Sequence, residues 1–243
     1  MSQDGLDKKG QPMERHFQKE IESLKTSLIK MGSLVEENFR LSVQAVQELN
    51  IAWAQKVIDT DERVDAMEIE IDNAVIDLLA LQQPVARDLR FIIAAQKINN
   101  DMERISDHAV NIAQAAITLA KLSTSDLFNE IPQMMNIARQ MLKDAVDSFI
   151  LLDAHAAKTV LETDDRIDEF NRTVSRRVIQ YVKENPELIE CGLEFSRISR
   201  NIERVADLST NIAEEVIFLT QARIVKHHAD DKVDANKEKL HLN

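Results

Sequence analysis

The sequence predicts an all-α fold, a tandem pair of three-helix bundles related by internal duplication, and three observations lead there. Only 4 Gly and 4 Pro occur among 243 residues, where average usage of roughly 12% would supply about 29. Sandwiches, barrels and doubly wound sheets need many tight turns that draw on these two residues, so the supply excludes most of them. Apolar residues recur at intervals of three and four along stretches far longer than strands. The chain also repeats itself: the twelve residues from Ala54 to Asp65 return as Ala157 to Asp168, with six identities. Further on, Glu103-Arg104-Ile105-Ser106-Asp107 returns as Glu203-Arg204-Val205-Ala206-Asp207, and Asn111-Ile112-Ala113 as Asn211-Ile212-Ala213. The first offset is 103 and the second 100, so three residues are lost between the landmarks. The prolines Pro84 and Pro186 mark that gap, where a loop tolerates deletion.

Each element follows from local pattern. Over residues 14–49, Phe17, Ile21, Leu24, Leu28, Met31 and Val35 keep the helical spacing. Gly32 interrupts them at some cost, which suggests the close approach of another helix. A short segment over 51–58 follows. The second helix is expected from near Asp61, capped by Thr60, to about Gln83, where Pro84 ends it because it lacks an amide donor. The third runs over 85–121. Ser123, Thr124 and Ser125 form a polar linker. The second copy gives helices over 130–151, 164–183 and 187–225, with Asn185-Pro186 as the matching joint. The organisation is a loose tail over 1–13, repeat 1 over 14–122, repeat 2 over 123–225, and a second loose tail over 226–243.

Charge narrows the function. Lys plus Arg is 30 and Asp plus Glu is 42, a net charge of −12. So acidic a surface repels a phosphate backbone, which excludes nucleic acid as a partner. Residues 14–122 and 126–225 each carry 12 basic and 18 acidic side chains, so each copy holds half of the charge. One cysteine, Cys191, permits no internal disulfide and is compatible with a reducing cytoplasm. Residues 1–12 lack the apolar run of a signal peptide. No stretch reaches the ~20 apolar residues of a membrane span. After Gly32 the only glycine is Gly192, so no Gly-rich loop exists to cradle a nucleotide phosphate.

The residues that could carry chemistry are acidic. With ~100° per residue, Asp107 lies about 40° from Glu103, and Asn111 about 80°. Ile98, Met102, Ile105, Ala109 and Ile112 fall on the other side, so the acids form a stripe opposite the core face. Glu203, Asp207 and Asn211 repeat it. On the second helix Asp61, Asp65, Glu68 and Asp72 share one face within about 60°. Asp164 and Asp168 repeat the first two, while Asn171 and Ser175 replace the others. Carboxylates four residues apart repel by a few tenths of a kcal/mol per pair. Two explanations stand. Paired carboxylates on neighbouring helices can clamp hard cations, or the stripes are solvated faces partly balanced by Arg63, Arg104, Arg166 and Arg204. The duplication favours a shared purpose. No HExxH, cysteine pair or Glu-x-x-His occurs, which argues against a carboxylate-bridged metalloenzyme. His108 has Leu208 as its counterpart and reads as structural. His227 and His228 lie in the tail, and Cys191 has no catalytic neighbours in sequence.

Three motifs carry a family resemblance. Met31-Gly32-Ser33-Leu34-Val35-Glu36 resembles an M-G-x-x-V-E motif, and Leu81-Gln82-Gln83-Pro84 with Asp88-Leu89-Arg90 resembles L-Q-x-P…D-L-R. The doubled E-R-x-x-D-x-x-x-N, at Glu103 to Asn111 and Glu203 to Asn211, completes the set. Together, over residues 14–225, they are similar to the PhoU family of accessory regulators of the bacterial phosphate-specific (Pst) transport system. The resemblance implies a cytoplasmic, non-enzymatic protein, often a homodimer, that represses the phosphate-starvation response when phosphate is plentiful. It implies peripheral association with membrane complexes, linking the transporter's ATPase subunit to the PhoR sensor kinase. It further implies iron or other divalent metal ions at E/D-x-x-x-D pairs: Glu103 with Asp107 and Glu203 with Asp207, joined by Asp61, Asp65, Asp164 and Asp168. Asn171 and Ser175 leave the second site with fewer carboxylates. A divalent-cation-binding regulator of a different phosphate or metal transporter is the alternative.

Overall fold

The computed structural model describes residues 11–122 and 128–222, and within them it contains six α-helices, one 3-10 turn and no strand. The helices are α1 (Gln11–Glu48), α2 (Ile51–Gln82), α3 (Ala86–Lys121), α4 (Glu130–Leu151), α5 (Ala154–Glu184) and α6 (Ile189–Gln221), with the 3-10 turn at Pro186–Leu188 before α6. The all-α, two-bundle expectation is therefore met. The expected linker at Ser123–Ser125, His227, His228 and the tail over 226–243 lie outside the described residues. So does the tail over 1–13 apart from its last three residues, which belong to α1. The last helix, expected to reach residue 225, ends at Gln221 with a left-handed Ala222.

Two helix starts differ from expectation. α2 begins at Ile51, not near Asp61, and absorbs the segment over 51–58. The cap is Asn50, whose side-chain oxygen accepts from the amides of Ala52 at 3.0 Å and Trp53 at 3.2 Å. Thr60 sits inside the helix and donates its hydroxyl to the Lys56 carbonyl at 2.6 Å. A mid-helix threonine can use the carbonyl four residues back in this way, so its capping preference does not break the helix. The second copy does the same. α5 begins at Ala154 instead of Asp164, capped by Asp153 through the amides of His155 and Ala156 at 2.8 and 3.1 Å.

These joints explain how so few glycines suffice. Leu49 and Leu152 stand in matching places with φ of 48° and 53°, in the left-handed region. The following amides fold back, Asn50 N to Ala45 O at 3.0 Å and Asp153 N to Ser148 O at 2.9 Å. Such closures normally recruit glycine. Here a left-handed leucine costs roughly 1–2 kcal/mol, offset in part because Leu49 packs against the core.

Three helices pack on one another in each half: α1, α2 and α3, then α4, α5 and α6. The halves also pack together, through α3 against α6 and α1 against α4, and the α3–α6 seam is as extensive as any packing inside a bundle. One continuous apolar cluster runs through both. Phe91 of α3 stacks on Phe149 of α4 with ring centroids 6.4 Å apart. Gly32 lies where α1 meets α4: a Cβ there would stand 3.0 Å from Val146 Cγ1, which bears out the expected close approach. Gly192 is tighter still against α5, with Val182 Cγ2 at 2.6 Å.

α3 and α6 run antiparallel. Lys97 meets Glu215 at one end and Gln114 meets Arg197 at the other. Equivalent residues in these helices differ by 100, so a pseudo-twofold axis crosses the seam near Ser106 and Ala206, both fully buried.

Candidate functional site: two acidic seams

The acidic stripe of α3 does not lie open on the outer surface. It borders the seam with α2, where the α2 stripe faces it. Ser106 donates its hydroxyl to Asp61 Oδ1 at 2.6 Å, and Asn38 of α1 donates to Ser106 at 3.3 Å. Asp72 accepts from Gln96 and Asn99, both at 2.7 Å, and Asn99 also bonds the Glu68 carbonyl. Thus Asp72 is a structural tie between α2 and α3. Glu103, Asp61 and Glu68 are half-buried, while Asp65 and Asp107 are exposed.

The electrostatics follow from that placement. Burial raises the Glu103 carboxyl first, and the charges of Asp107, Glu68, Asp65 and Asp61 raise it further, to about 7. Asp61 is also raised, by burial above all, against the stabilising Ser106 hydrogen bond. Glu68 is raised by burial and then by Asp72 and Asp65. Low solvation and like charge thus disfavour ionisation together. The structure brings Glu103, Asp107, Asp61 and Asp65 into one field, although they come from helices forty residues apart in sequence.

The second seam is weaker. Glu203 is raised by burial and by Asp207 and Asp168, but Arg204 lowers it and Asn171 hydrogen-bonds it. Asp207 is raised by burial, opposed by Arg204, which pairs with it at 2.8 Å. Ser199 takes the place of Asn99 and bonds Asn171 at 2.7 Å. Asp164 and Asp168 are half-buried on α5. The balancing arginines behave differently in the two halves: Arg104 pairs with Asp101 at 3.7 Å, not with the stripe.

The donor chemistry fits a hard cation. The stripe residues themselves offer carboxylate oxygens, beside the Ser106, Asn99 and Asn171 side chains, and the first seam carries a field that a cation would relieve. As placed, no group of three or more His, Cys, Asp or Glu side chains among the described residues is set to hold a metal ion. Binding would require side-chain rotation within the seams.

Two buried acids escaped the stripe reasoning. Asp101 and Glu215 are each 7% exposed. Asp101 stands about 160° from Glu103 around α3, on the edge of the apolar face, where it meets α6. That position was the available signal: an acid at the margin of a core face has to find a partner. His108 places its Nδ1 2.8 Å from Asn201 Oδ1 across the seam.

Comparison with known proteins agrees with this architecture. The PhoU domain family model matches residues 28–116 and 131–216. The two matches begin 103 residues apart and end 100 apart, reproducing the three-residue loss between the copies. A phosphate-specific transport system accessory protein PhoU homolog from Aquifex aeolicus is 39% identical over 215 residues, 88% of this chain and 97% of that protein. The protein of Escherichia coli named phosphate-specific transport system accessory protein PhoU is 28% identical over 218 residues, 90% of each chain. Among solved structures, PhoU from Pseudomonas aeruginosa superposes with a TM-score of 0.83 at 34% identity, covering 85% of this chain and all of that one. The phosphate transport system regulatory protein PhoU from Streptococcus pneumoniae gives 0.80 at 28% identity, covering 87% of this chain and all of the other.

Proposed function

Because this chain belongs to the PhoU family, we propose that it is a non-catalytic accessory regulator of phosphate uptake. The observation that carries this reading is the double match: both bundles are recognised, and relatives matched over 97% and 84% of their own length are named as accessory proteins of the phosphate-specific transport system. Its role is to hold the phosphate-starvation response down when phosphate is plentiful. It does so by coupling the ATPase subunit of the transporter to the PhoR sensor kinase, as a homodimer on the cytoplasmic face. Among the described residues no helix is long and apolar enough to cross a membrane, and the association proposed is peripheral.

In the same reading the seams hold iron or another divalent metal. Glu103, Asp107, Asp61 and Asp65 serve the first half, and Glu203, Asp207, Asp164 and Asp168 the second. The metal would neutralise the acidic field and fix the angle between the second and third helix of each bundle. The crowding of like charge around Glu103 supports this, since burial and then Asp107, Glu68, Asp65 and Asp61 raise its carboxyl, and those four acids form a field that a cation would relieve.

Deletion of the gene tests the regulatory role. The expected result is a phosphate-responsive promoter that fires in phosphate-rich medium. A promoter that stays properly repressed would refute it. Capture with the tagged chain at high and low phosphate should retain the transporter ATPase and the kinase.

A further inference from the structure

The outward faces of α2 and α5 carry opposite charge. α2 packs only on α1 and α3, and α5 only on α4, α6 and the 3-10 turn, so each is the outer helix of its bundle. The core face of α2 includes Val64, Ile71, Val75 and Leu78. On the opposite side Ala66, Ile69, Asn73, Ile76 and Ala80 form a stripe in steps of three and four, all exposed and none charged. That spacing is the seam of a two-helix contact, and nothing among the described residues covers it: Ile69 and Ile76 are each 60% exposed. Glu70 and Asp77 flank the stripe on one side and Asp65 on the other.

The duplication makes the same face of α5 basic. At the offset of 103, Ile69, Asn73, Ile76 and Ala80 become Arg172, Arg176, Ile179 and Lys183, again all exposed. Residues 67–80 hold four acidic and no basic side chains, whereas residues 170–183 hold four basic and no acidic ones. Such a run of bases departs from a chain whose net charge is −12. Arg177 is held within its own bundle by Glu130 and the Phe128 ring. Ala66 becomes Glu169, which pairs with Arg172 at 3.2 Å and Arg176 at 3.5 Å. Exposed pairs of this kind contribute little, so both guanidinium groups are free to change partner.

We propose that these two faces bind each other between copies, α2 of one protomer docking on α5 of a second. Two α2 faces brought together would set carboxylates against carboxylates, and two α5 faces guanidinium against guanidinium. Only the crossed pairing opposes unlike charges. In it Ile69 and Ile76 meet Ile179 and the alkyl stems of Arg172, Arg176 and Lys183, whose charged heads reach Glu70 and Asp77. The contact is heterologous, so it joins copies head to tail unless two such contacts close on one pair. The proposal rests on the self-association in the preceding reading and supplies its surface.

Sedimentation velocity of the full chain over a concentration series tests it. Self-association is expected, and it should weaken as ionic strength rises. Ile69→Asp/Ile76→Asp on one face, or Arg172→Glu/Arg176→Glu on the other, should weaken it about tenfold or more. All four positions are exposed, so the helices should survive, which circular dichroism checks. The mixture decides: the first variant keeps its α5 face and the second its α2 face, so together they should form a one-to-one complex that neither forms alone. A mixture that stays monomeric overturns the proposal. Self-association unchanged in either variant, or indifferent to salt, overturns it too and leaves the homodimer with another surface. A parent chain that is monomeric at every concentration removes surface and homodimer together, while the promoter assay still reads the regulatory role on its own.

Discussion

Arg204 donates from Nη1 to Asp207 Oδ2 at 2.8 Å, while its counterpart Arg104 turns to Asp101 at 3.7 Å and leaves Asp107 to the other acids. One arginine therefore balances the second seam and none the first in the same way. The two halves inherited one pattern of charge and now differ in how much of it is compensated.

The uncompensated field should be visible in stability. Glu103 titrates at about 7 when folded and at the ordinary glutamate value when unfolded. Between those values the folded chain binds more protons, so stability rises as pH falls from about 7 toward 4.5 and is lost as pH rises through 7. Glu103→Gln should flatten that slope and raise Tm at pH 8 by about 2–4 °C, the shift for ~1 kcal/mol in a chain of this length. Melting curves of both proteins from pH 5 to 8 check it, and parallel slopes would refute the assignment.

Metal affinity should be unequal between the halves. Elemental analysis and Mn²⁺ titration of the purified chain should show Glu103→Ala/Asp107→Ala losing more affinity than Glu203→Ala/Asp207→Ala, by about tenfold. Arg204 already occupies Asp207, and Asn171 and Ser175 stand where the first half has Glu68 and Asp72. Cation affinity unchanged in Glu103→Ala/Asp107→Ala/Glu203→Ala/Asp207→Ala would eliminate the seams as metal sites.

Close packing predicts a ranking of glycine variants. Gly192→Ala puts a Cβ 2.6 Å from a stiff valine, whereas Gly32→Ala meets Val146 at 3.0 Å and the flexible end of Met102 at 3.2 Å. Overpacking costs about 1–3 kcal/mol, against a helix-propensity gain of about 1 kcal/mol. Gly192→Ala should lower stability in urea melts, and Gly32→Ala should lower it less. The reverse order would contradict the helix spacing at α5–α6.

The caps carry a further pair. Asn50→Ala should cost about 1 kcal/mol through loss of the two amide contacts. Asp153 does the same work with a carboxylate, which the Ala156 and His155 amides hold below its usual value. Its contribution is present above the ordinary aspartate value and fades as pH falls through the depressed one. Asn50→Ala should therefore show the same loss at pH 7 and pH 3, and Asp153→Asn should differ from the parent only at the higher pH.

Much of this was legible in the chain. Scarce glycine and proline, the three-and-four spacing and the offset repeats are all local properties, so they foretold six helices and their pairing into two copies. α4 ran over 130–151 as the spacing indicated. The start of α2 was misplaced because Thr60 can cap a helix or sit within one, and the local sequence does not choose; α5, its repeat, shares the shift. The stripe acids were found by helical angle alone. Asp101 and Glu215 were passed over because each lies at the margin of an apolar face, and only a neighbour decides what such a residue meets.

The sequence by itself determined the helices, the duplication and the half-share of charge in each copy, because backbone propensity and periodicity act within a few turns. Only the tertiary structure decided that α3 and α6 lie antiparallel against each other, joining the bundles through one core. That seam exists because apolar faces of distant helices exclude water together, and no local pattern specifies which face finds which. From it follow the burial that raises Asp101, the unsatisfied oxygen of Glu215 and the different partners of Arg104 and Arg204.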